Sequence, residues 1–566
     1  MRNPLNECAK PKQLATYILL GLLAAAFSPR VAPVRGYLPC IALNRMGQVQ
    51  ESLEDYTYST YFGGSNVDRI VDLAVDSEGN VVVFGGTYST DLPTLNAYQG
   101  EYGGGAMPEH LIGMGDCYVA KFSDRGELLW ASYLGGSELE NPRRMLTGND
   151  DEVILIGDTQ SEDFPITDDA VQPSYGGGGA DGFLTVLSSG GALVYSTYLG
   201  GSSSDSLGDL VIDPIGNMVI VGSTESADFP VSSDAYQPEI GGSLDVFIIE
   251  IEANEAAIGY SSFLGGGDRD SANELEFDGE GCLIIAGSTM SDDFPITDDA
   301  FQGSIEGEAS DCFIAKFQGY SDLVLSTLLG GDDVDQCFGL GVDSSNAIHV
   351  VGRTWSGDFP VTSDALQEVY GGDVAEGPNP EPGVDGYYAK VSSEGDLLYS
   401  TYYGGPVWDS LFQVVFYEDD TVIMGIVNSG EFPVVNAFQG DFMGVIDIVL
   451  LVLDGEGQLK LSSYLGGSEV DHPSGMVVDD GKLYLAGNSD STDFYTTDDA
   501  FQGANQGGGD GFIFTLELGR YLQNVDDIQV PNPARAKLIS NITSYGVVLA
   551  SILVWAVLMK RYFQGE

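Results

Sequence analysis

One short pattern recurs seven times along the 566 residues and limits the fold more than any bulk property does. It is strand-like and ends in two glycines. Tyr-Ser-Thr-Tyr-Phe-Gly-Gly stands at 58–64, and its counterparts lie at 130–136, 195–201, 260–266, 325–331, 399–405 and 461–467. The starts are 72, 65, 65, 65, 74 and 62 residues apart. A second signature, Asp-Phe-Pro or a near relative, begins at Asp91, Asp163, Asp228, Asp293, Asp358, Glu431 and Asp493. A third, with Ala and Gln at fixed offsets, begins at Asn96, Asp169, Asp234, Asp299, Asp364, Asn436 and Asp499. Independent signatures with one shared count define a repeating supersecondary unit.

Each unit supplies four strands. In the third unit these are 209–213 (A), 217–224 (B), 245–251 (C) and 258–264 (D), with a tight turn at 214–216 and a long B–C loop. Four antiparallel strands per repeat describe a propeller blade. Glycine is abundant, at 76 residues, but shows no triplet period, so the composition fits short strands and tight turns rather than collagen. The expected fold class is all-β, a seven-bladed β-propeller over 54–518. Its blades fall at 66–135, 137–200, 202–265, 267–330, 332–404, 406–466 and 468–518 plus 54–63. The first element is an orphan strand D at 56–62 and the last an orphan strand C at 510–516. Pairing them closes the ring and removes two exposed edges.

The Gly-Gly strand, Gly-x-Thr-x-Ser-x-Asp-Phe-Pro, Ala-Phe-Gln and Asp-x-Phe-x-Ala-Lys together resemble the seven-bladed β-propeller repeats of bacterial and archaeal surface proteins, usually called SBBP repeats. The resemblance covers about residues 54–518. It implies a secreted or cell-surface propeller and implies no activity or catalytic residue set. Unit 6 departs at 425–433, lacking the usual Thr and Asp, and unit 7 has Tyr495 where Pro is usual.

Basic residues Arg2, Lys10 and Lys12 precede an apolar run at 14–27, which fits a secretory signal over 1–30, with a retained N-terminal anchor as the alternative. A linker at 31–53 follows. Residues 541–559 carry no charge and precede Lys560 and Arg561, as expected of a membrane-spanning helix with a cytoplasmic tail at 560–566. Segment 519–540, with Pro531 and Pro533, reads as a stalk. The localisation expected is a single-pass membrane protein with its propeller outside the cell.

A formal charge of −63 argues against nucleic acid as a partner, because phosphate would be repelled. No Cys-x-x-Cys occurs, and the six cysteines read as inert buried thiols rather than a disulfide framework, with Cys282 and Cys337 isolated. The three histidines, His110, His349 and His472, lie in different units, and no nucleophile elbow, zinc-protease or phosphate-loop motif is present.

An acid follows each Gly-Gly pair at a near-constant offset: Asp68, Glu140, Asp205, Asp270, Asp335, Asp409 and Asp471. Placed in the D–A connection just before the innermost strand, these carboxylates admit two roles. They are oxygen ligands for a hard cation, calcium being the one cofactor the pattern admits, or acceptors for backbone N–H groups of their own turns. The B–C loops of units 1 (101–115) and 5 (371–384) are the longest, and rigidly mounted long loops are where recognition is usually placed. Glu101, His110, Asp373, Glu376 and Glu381 are the partner-contact candidates there. The function expected is a non-catalytic surface propeller binding a protein or glycan. The alternatives are an extracellular carbohydrate-active enzyme using channel-mouth carboxylates and a structural envelope component.

Overall fold

The computed structural model describes residues 57–105, 115–252, 257–305, 307, 309–372 and 383–526. Strand β1 (Thr57–Phe62) opens the fold. Blade 1 is β2 (Asp68–Val75), β3 (Val81–Thr87), β4 (Asp116–Phe122) and β5 (Leu128–Leu134), and blade 2 is β6 (Glu140–Thr147), β7 (Val153–Thr159), β8 (Asp181–Leu187) and β9 (Leu193–Leu199). Blade 3 is β10 (Asp205–Ile212), β11 (Met218–Thr224), β12 (Asp245–Glu252) and β13 (Ala257–Leu264). Blade 4 is β14 (Asp270–Phe277), β15 (Leu283–Thr289), β16 (Asp311–Gln318) and β17 (Asp322–Leu329). Blade 5 is β18 (Asp335–Val342), β19 (Ile348–Thr354), β20 (Asp385–Val391) and β21 (Leu397–Tyr403). Blade 6 is β22 (Ser410–Tyr417), β23 (Asp420–Val427), β24 (Asp447–Leu453) and β25 (Leu459–Leu465). Blade 7 is β26 (Asp471–Asp479), β27 (Lys482–Ser489) and β28 (Asp510–Leu516), completed by β1.

Seven separate four-stranded antiparallel sheets result, six with strands in chain order and one in the order β1-β28-β27-β26. The closing register runs from Thr57 opposite Leu516 to Phe62 opposite Gly511, as the complementary half-units require. The first strands of adjacent blades pack on one another in a closed circle, from β2 through β6, β10, β14, β18, β22 and β26 back to β2. They surround the axis of the ring.

The sequence pattern explains the layering. The second and third strands of each blade are rich in Val, Ile and aromatic residues and are buried almost throughout, because both faces of each sheet meet a neighbouring sheet. The fourth strand starts solvent-exposed and becomes buried toward its Gly-Gly end. The core is therefore seven inter-blade layers. Each draws on two adjacent blades, as with Val219 and Val221 of β11 against Leu283 and Ile285 of β15. Cys312 and Cys337 share one such layer, so Cys337 is not isolated as the sequence reading has it. All four described cysteines are buried and free, and burial raises the Cys117 thiol.

Two boundaries differ from expectation. The innermost strand of blade 3 begins at Asp205 rather than Asp209, because a register shift between Leu207 and Asp209 interrupts the simple alternation. Residues 519–526 of the expected stalk belong to α1 (Leu518–Asp526), whose Leu518 and Leu522 pack into the core of blades 6 and 7. The expected signal and membrane-spanning segments lie outside the described residues. Among the described residues no helix is long and apolar enough to cross a membrane.

Candidate functional site

The three signatures converge on one hydrogen-bond network at the end of each blade where the D–A turns meet the B–C loops. In blade 3, Asp205 accepts from Gly201 N at 2.6 Å, from Ser226 Oγ at 2.9 Å and from Thr224 Oγ1. Asp68, Asp270 and Asp471 have the same set of partners, with Ser489 replacing Thr in blade 7. Glu140 accepts from Thr159 and Ser161 at 2.9 and 2.6 Å. The acids thus tie the Gly-Gly turn to the end of the second strand. All seven are buried, and six of them are the first residue of the innermost strand rather than part of the preceding connection.

The acid that opens each third strand faces the same turn, and in the sequence it is indistinct from the rest of the Asp-x-Phe signature. Asp245 accepts from Gly241 N, Gly242 N and Gln237 Nε2 at 2.7, 2.8 and 3.0 Å, while Gln237 Oε1 accepts from Gly265 N at 3.0 Å. The Gln of the third signature reaches the first glycine of the Gly-Gly pair in all seven blades. That glycine lies between two carboxylates. A Cβ at Gly63 would sit 2.6 Å from Asp510 Cγ and 3.0 Å from Asp68 Oδ2. No larger residue fits without moving one of them.

Burial raises these carboxyls. Glu140 is pushed up to about 8, Asp385 to about 7, and Asp116, Asp181, Asp335, Asp409, Asp447 and Asp510 to about 6. Blade 6 lacks the Thr, having Val427, and Asp409 Oδ1 and Ser429 Oγ are buried without a hydrogen-bond partner. Among the described residues no cluster of three or more His, Cys, Asp or Glu side chains is arranged to hold a metal ion. The acid of Asp-Phe-Pro acts elsewhere. Asp228 accepts from Ser202 N and Oγ, both at 2.9 Å, and is held low by those bonds. Its neighbour Phe229 stacks on Phe247 with centroids 4.4 Å apart.

What differs between blades lies nearer the axis. Each innermost strand shifts register at the same place, so that one residue per blade is left unpaired: Val71, Arg143, Gly208, Asn273, Phe338, Phe412 and Ser474. Such bulges re-aim a side chain. The next residue carries charge in four blades. Arg144 reaches Asp209 and Glu274, both at 2.9 Å, and Asp72 at 3.6 Å, joining blade 2 to blades 1, 3 and 4. Beside this ion cluster lies a cleft of about 460 Å³ lined by Arg143, Asp158, Asp205, Glu225, Arg269 and Asn273, among others.

Blades 5 to 7 present aromatic side chains instead. Arg353 lies 4.8 Å from the centre of the Trp355 ring, 5.0 Å from Phe338 and 5.6 Å from Trp408. Phe338 contacts Phe412 at 5.5 Å, and Phe412 contacts His472 at 4.9 Å. His349, by contrast, is a core residue held by Asp343 and Tyr388, and burial lowers it to about 4. Of the loop candidates, Glu101 is exposed beside blade 1. His110, Asp373, Glu376 and Glu381 lie outside the described residues.

Fold and site together define a seven-bladed propeller whose repeated polar residues build the blades and whose variable residues gather round one end of the axis. No family model matches the sequence, and no curated protein sequence does. Among solved structures, an ulvan lyase, a polysaccharide lyase, is similar at 9% identity over 76% of this chain and 92% of its own, with a TM-score of 0.40. The phage phi92 endosialidase is similar at 9% identity over 81% of this chain and 69% of its own, with a TM-score of 0.35. A glucose dehydrogenase is similar at 12% identity over 61% and 94%, with a TM-score of 0.31. At these values the likenesses do not bear on what this chain binds or does.

Proposed function

We propose that the chain is a non-catalytic, exported and membrane-anchored propeller that binds proteins or glycans at the cell surface through the face carrying its D–A turns and B–C loops. One observation carries this reading. The carboxylates shared by all seven repeats are buried and engaged by turn donors, whereas the side chains that vary between blades lie round the axis on that face. A rigid frame with variable attachments suits recognition. The apolar runs at 14–27 and 541–559 support export and anchoring.

Two assays on one preparation test this reading. Protein and glycan arrays probed with the full-length chain in mild detergent should yield specific binding. A panel of polysaccharides incubated with it should keep its chain length. Turnover of any polymer, or no binding on either array, would sink the proposal.

A further inference from the structure

We propose that the axial mouth over blades 5, 6, 7 and 1 is a binding site for an anionic glycan, with Arg353 pairing the acidic group and Trp355 and Trp408 flanking the sugar. The inference deepens the binding reading above and rests on it.

The distribution of cations is the first support. Lys121, Lys316, Lys390 and Lys460 all pair with aspartates at the opposite end of the blades, namely Asp76, Asp278, Asp343 and Asp420, at 2.6 to 2.8 Å. These are architectural pairs. Arg69, Arg143, Arg269 and Arg353 instead lie at the axial mouth, near the start of an innermost strand or the end of a second strand. Only Arg143 among them forms an ion pair within the described residues, with Asp158 at 2.7 Å. Among the described residues, Arg69, Arg269 and Arg353 therefore leave three guanidinium groups at this mouth without an ion pair, in a chain with 85 acids and 22 bases.

Arg353 is the most developed case. Its Nε donates to Gln336 Oε1 at 2.9 Å, and three aromatic rings surround the rest of the group. Burial lowers its pKa, a sign that solvation has been lost without a compensating anion. A guanidinium in such a place offers a planar fork matched to a carboxylate or sulfate. The turn carboxylates of blades 5 to 7, Asp335, Asp409 and Asp471, are buried and accept from backbone N–H groups.

The aromatic succession is the second support. Trp408 is 41% exposed, and from Phe338 the rings continue through Phe412 to His472. Burial lowers the His472 pKa, and the positive charge of Arg69 in the next blade adds to that shift. Partly exposed flat faces edged by donors complement pyranose rings, which are apolar on their faces and polar at their rims. Arg353 and Trp355 occupy the two variable positions around Thr354, and no other blade carries Arg and Trp there. The arc is therefore not a by-product of the repeat.

The test is a titration of the full-length chain in mild detergent with polygalacturonate, dextran sulfate, dextran and polyglutamate. At least one of the first two should bind, and which one does identifies the anion. Dextran should bind at least tenfold more weakly, and polyglutamate no better than dextran. Arg353→Gln and Trp408→Ala should each weaken binding at least tenfold without altering the melting temperature. Arg125→Gln, in a turn at the opposite end of blade 1, should leave it unchanged. Equal binding of polyglutamate, or Trp408→Ala without effect, would overturn the glycan assignment in favour of simple attraction to acidic polymers. Binding of a neutral glycan or a protein that is unaffected by Arg353→Gln would overturn the arc and leave the binding reading intact. Cleavage of the bound polymer would overturn the non-catalytic reading and leave the arc in place.

Discussion

The Tyr61 hydroxyl donates to the Ser491 carbonyl at 2.6 Å across 430 residues of sequence. The bond belongs to the closing blade, where β1 supplies the outermost strand. The equivalent bonds in blades 1 and 2, from Tyr133 to Ser89 and from Tyr198 to Ser161, lie within one repeat. Closure thus reuses an ordinary blade contact between distant parts of the chain. Tyr61→Phe should cost about 1 kcal/mol in urea denaturation, the loss expected when a buried carbonyl is left without its donor. Removing 57–62 should do far more, exposing the edge of β28 and producing oligomers in sedimentation velocity. A monodisperse, equally stable truncation would show that the ring does not depend on this pairing.

Blade 6 offers a gain rather than a loss. Val427 stands where blades 1 to 4 and 7 place a hydroxyl that donates to the turn acid, and Asp409 Oδ1 lacks a partner. Val427→Thr should stabilise the protein by about 1 kcal/mol, and Thr224→Val in blade 3 should destabilise it by about 1–3 kcal/mol. Opposite signs in thermal unfolding would contradict the assigned role of the hydroxyl.

The raised carboxyls set a pH dependence. An unfolded Asp or Glu titrates near ~4, whereas Glu140 is pushed up to about 8, Asp385 to about 7 and Asp181 to about 6 in the fold. Between those values the native state holds more protons than the unfolded state. Its stability therefore falls as pH rises from the unfolded value through the folded pKa values, and the contribution of these groups is full only below ~4. The melting temperature should climb as pH is lowered from about 8 to about 5, a window set by these shifts. Relief of repulsion in a chain of charge −63 acts in the same direction. A melting temperature that rises with pH across this window would refute the account.

Calcium gives a separate test. The seven acids after Gly-Gly already receive turn donors, so a chelator should leave the melting temperature unchanged. A downward shift, restored by added calcium, would make these acids cation ligands as well.

The unit 5 loop tests how far insertion and frame are independent. Gly371 N donates to Asp385 at 2.7 Å, and a Cβ on Gly383 would lie only 2.5 Å from Gly372 Cα, so the two ends of the insertion touch. Excising 373–382 should leave the melting temperature unchanged. Removing 371–384 should lower it, because Val384 O also accepts from Asp409 N. Equal destabilisation by both deletions would mean that the insertion itself supports the blade.

The reading of strands from sequence succeeded where alternation and turn chemistry are local. Gly216 adopts a φ of 98° in the turn expected at 214–216, and the third strand of that blade starts at Asp245 as expected. It missed the first four residues of β10, because the bulge at Gly208 breaks the alternation that defines a strand. The turn acids were visible as a pattern, but their burial was not. A residue present in every repeat reads equally as ligand or as architecture until its donors are placed beside it.

The sequence by itself determined the number of blades, their strand order and the pair of half-units that closes the ring. Each follows from repetition, and a repeated unit meets the same neighbours every time. Only the tertiary structure decided which variable residues meet. Arg353 and Trp408 are 55 positions apart in different repeats, yet they lie together because adjacent innermost strands pack side by side round the axis. That proximity is set by how blades stack, a relationship between repeats that no spacing within a repeat encodes.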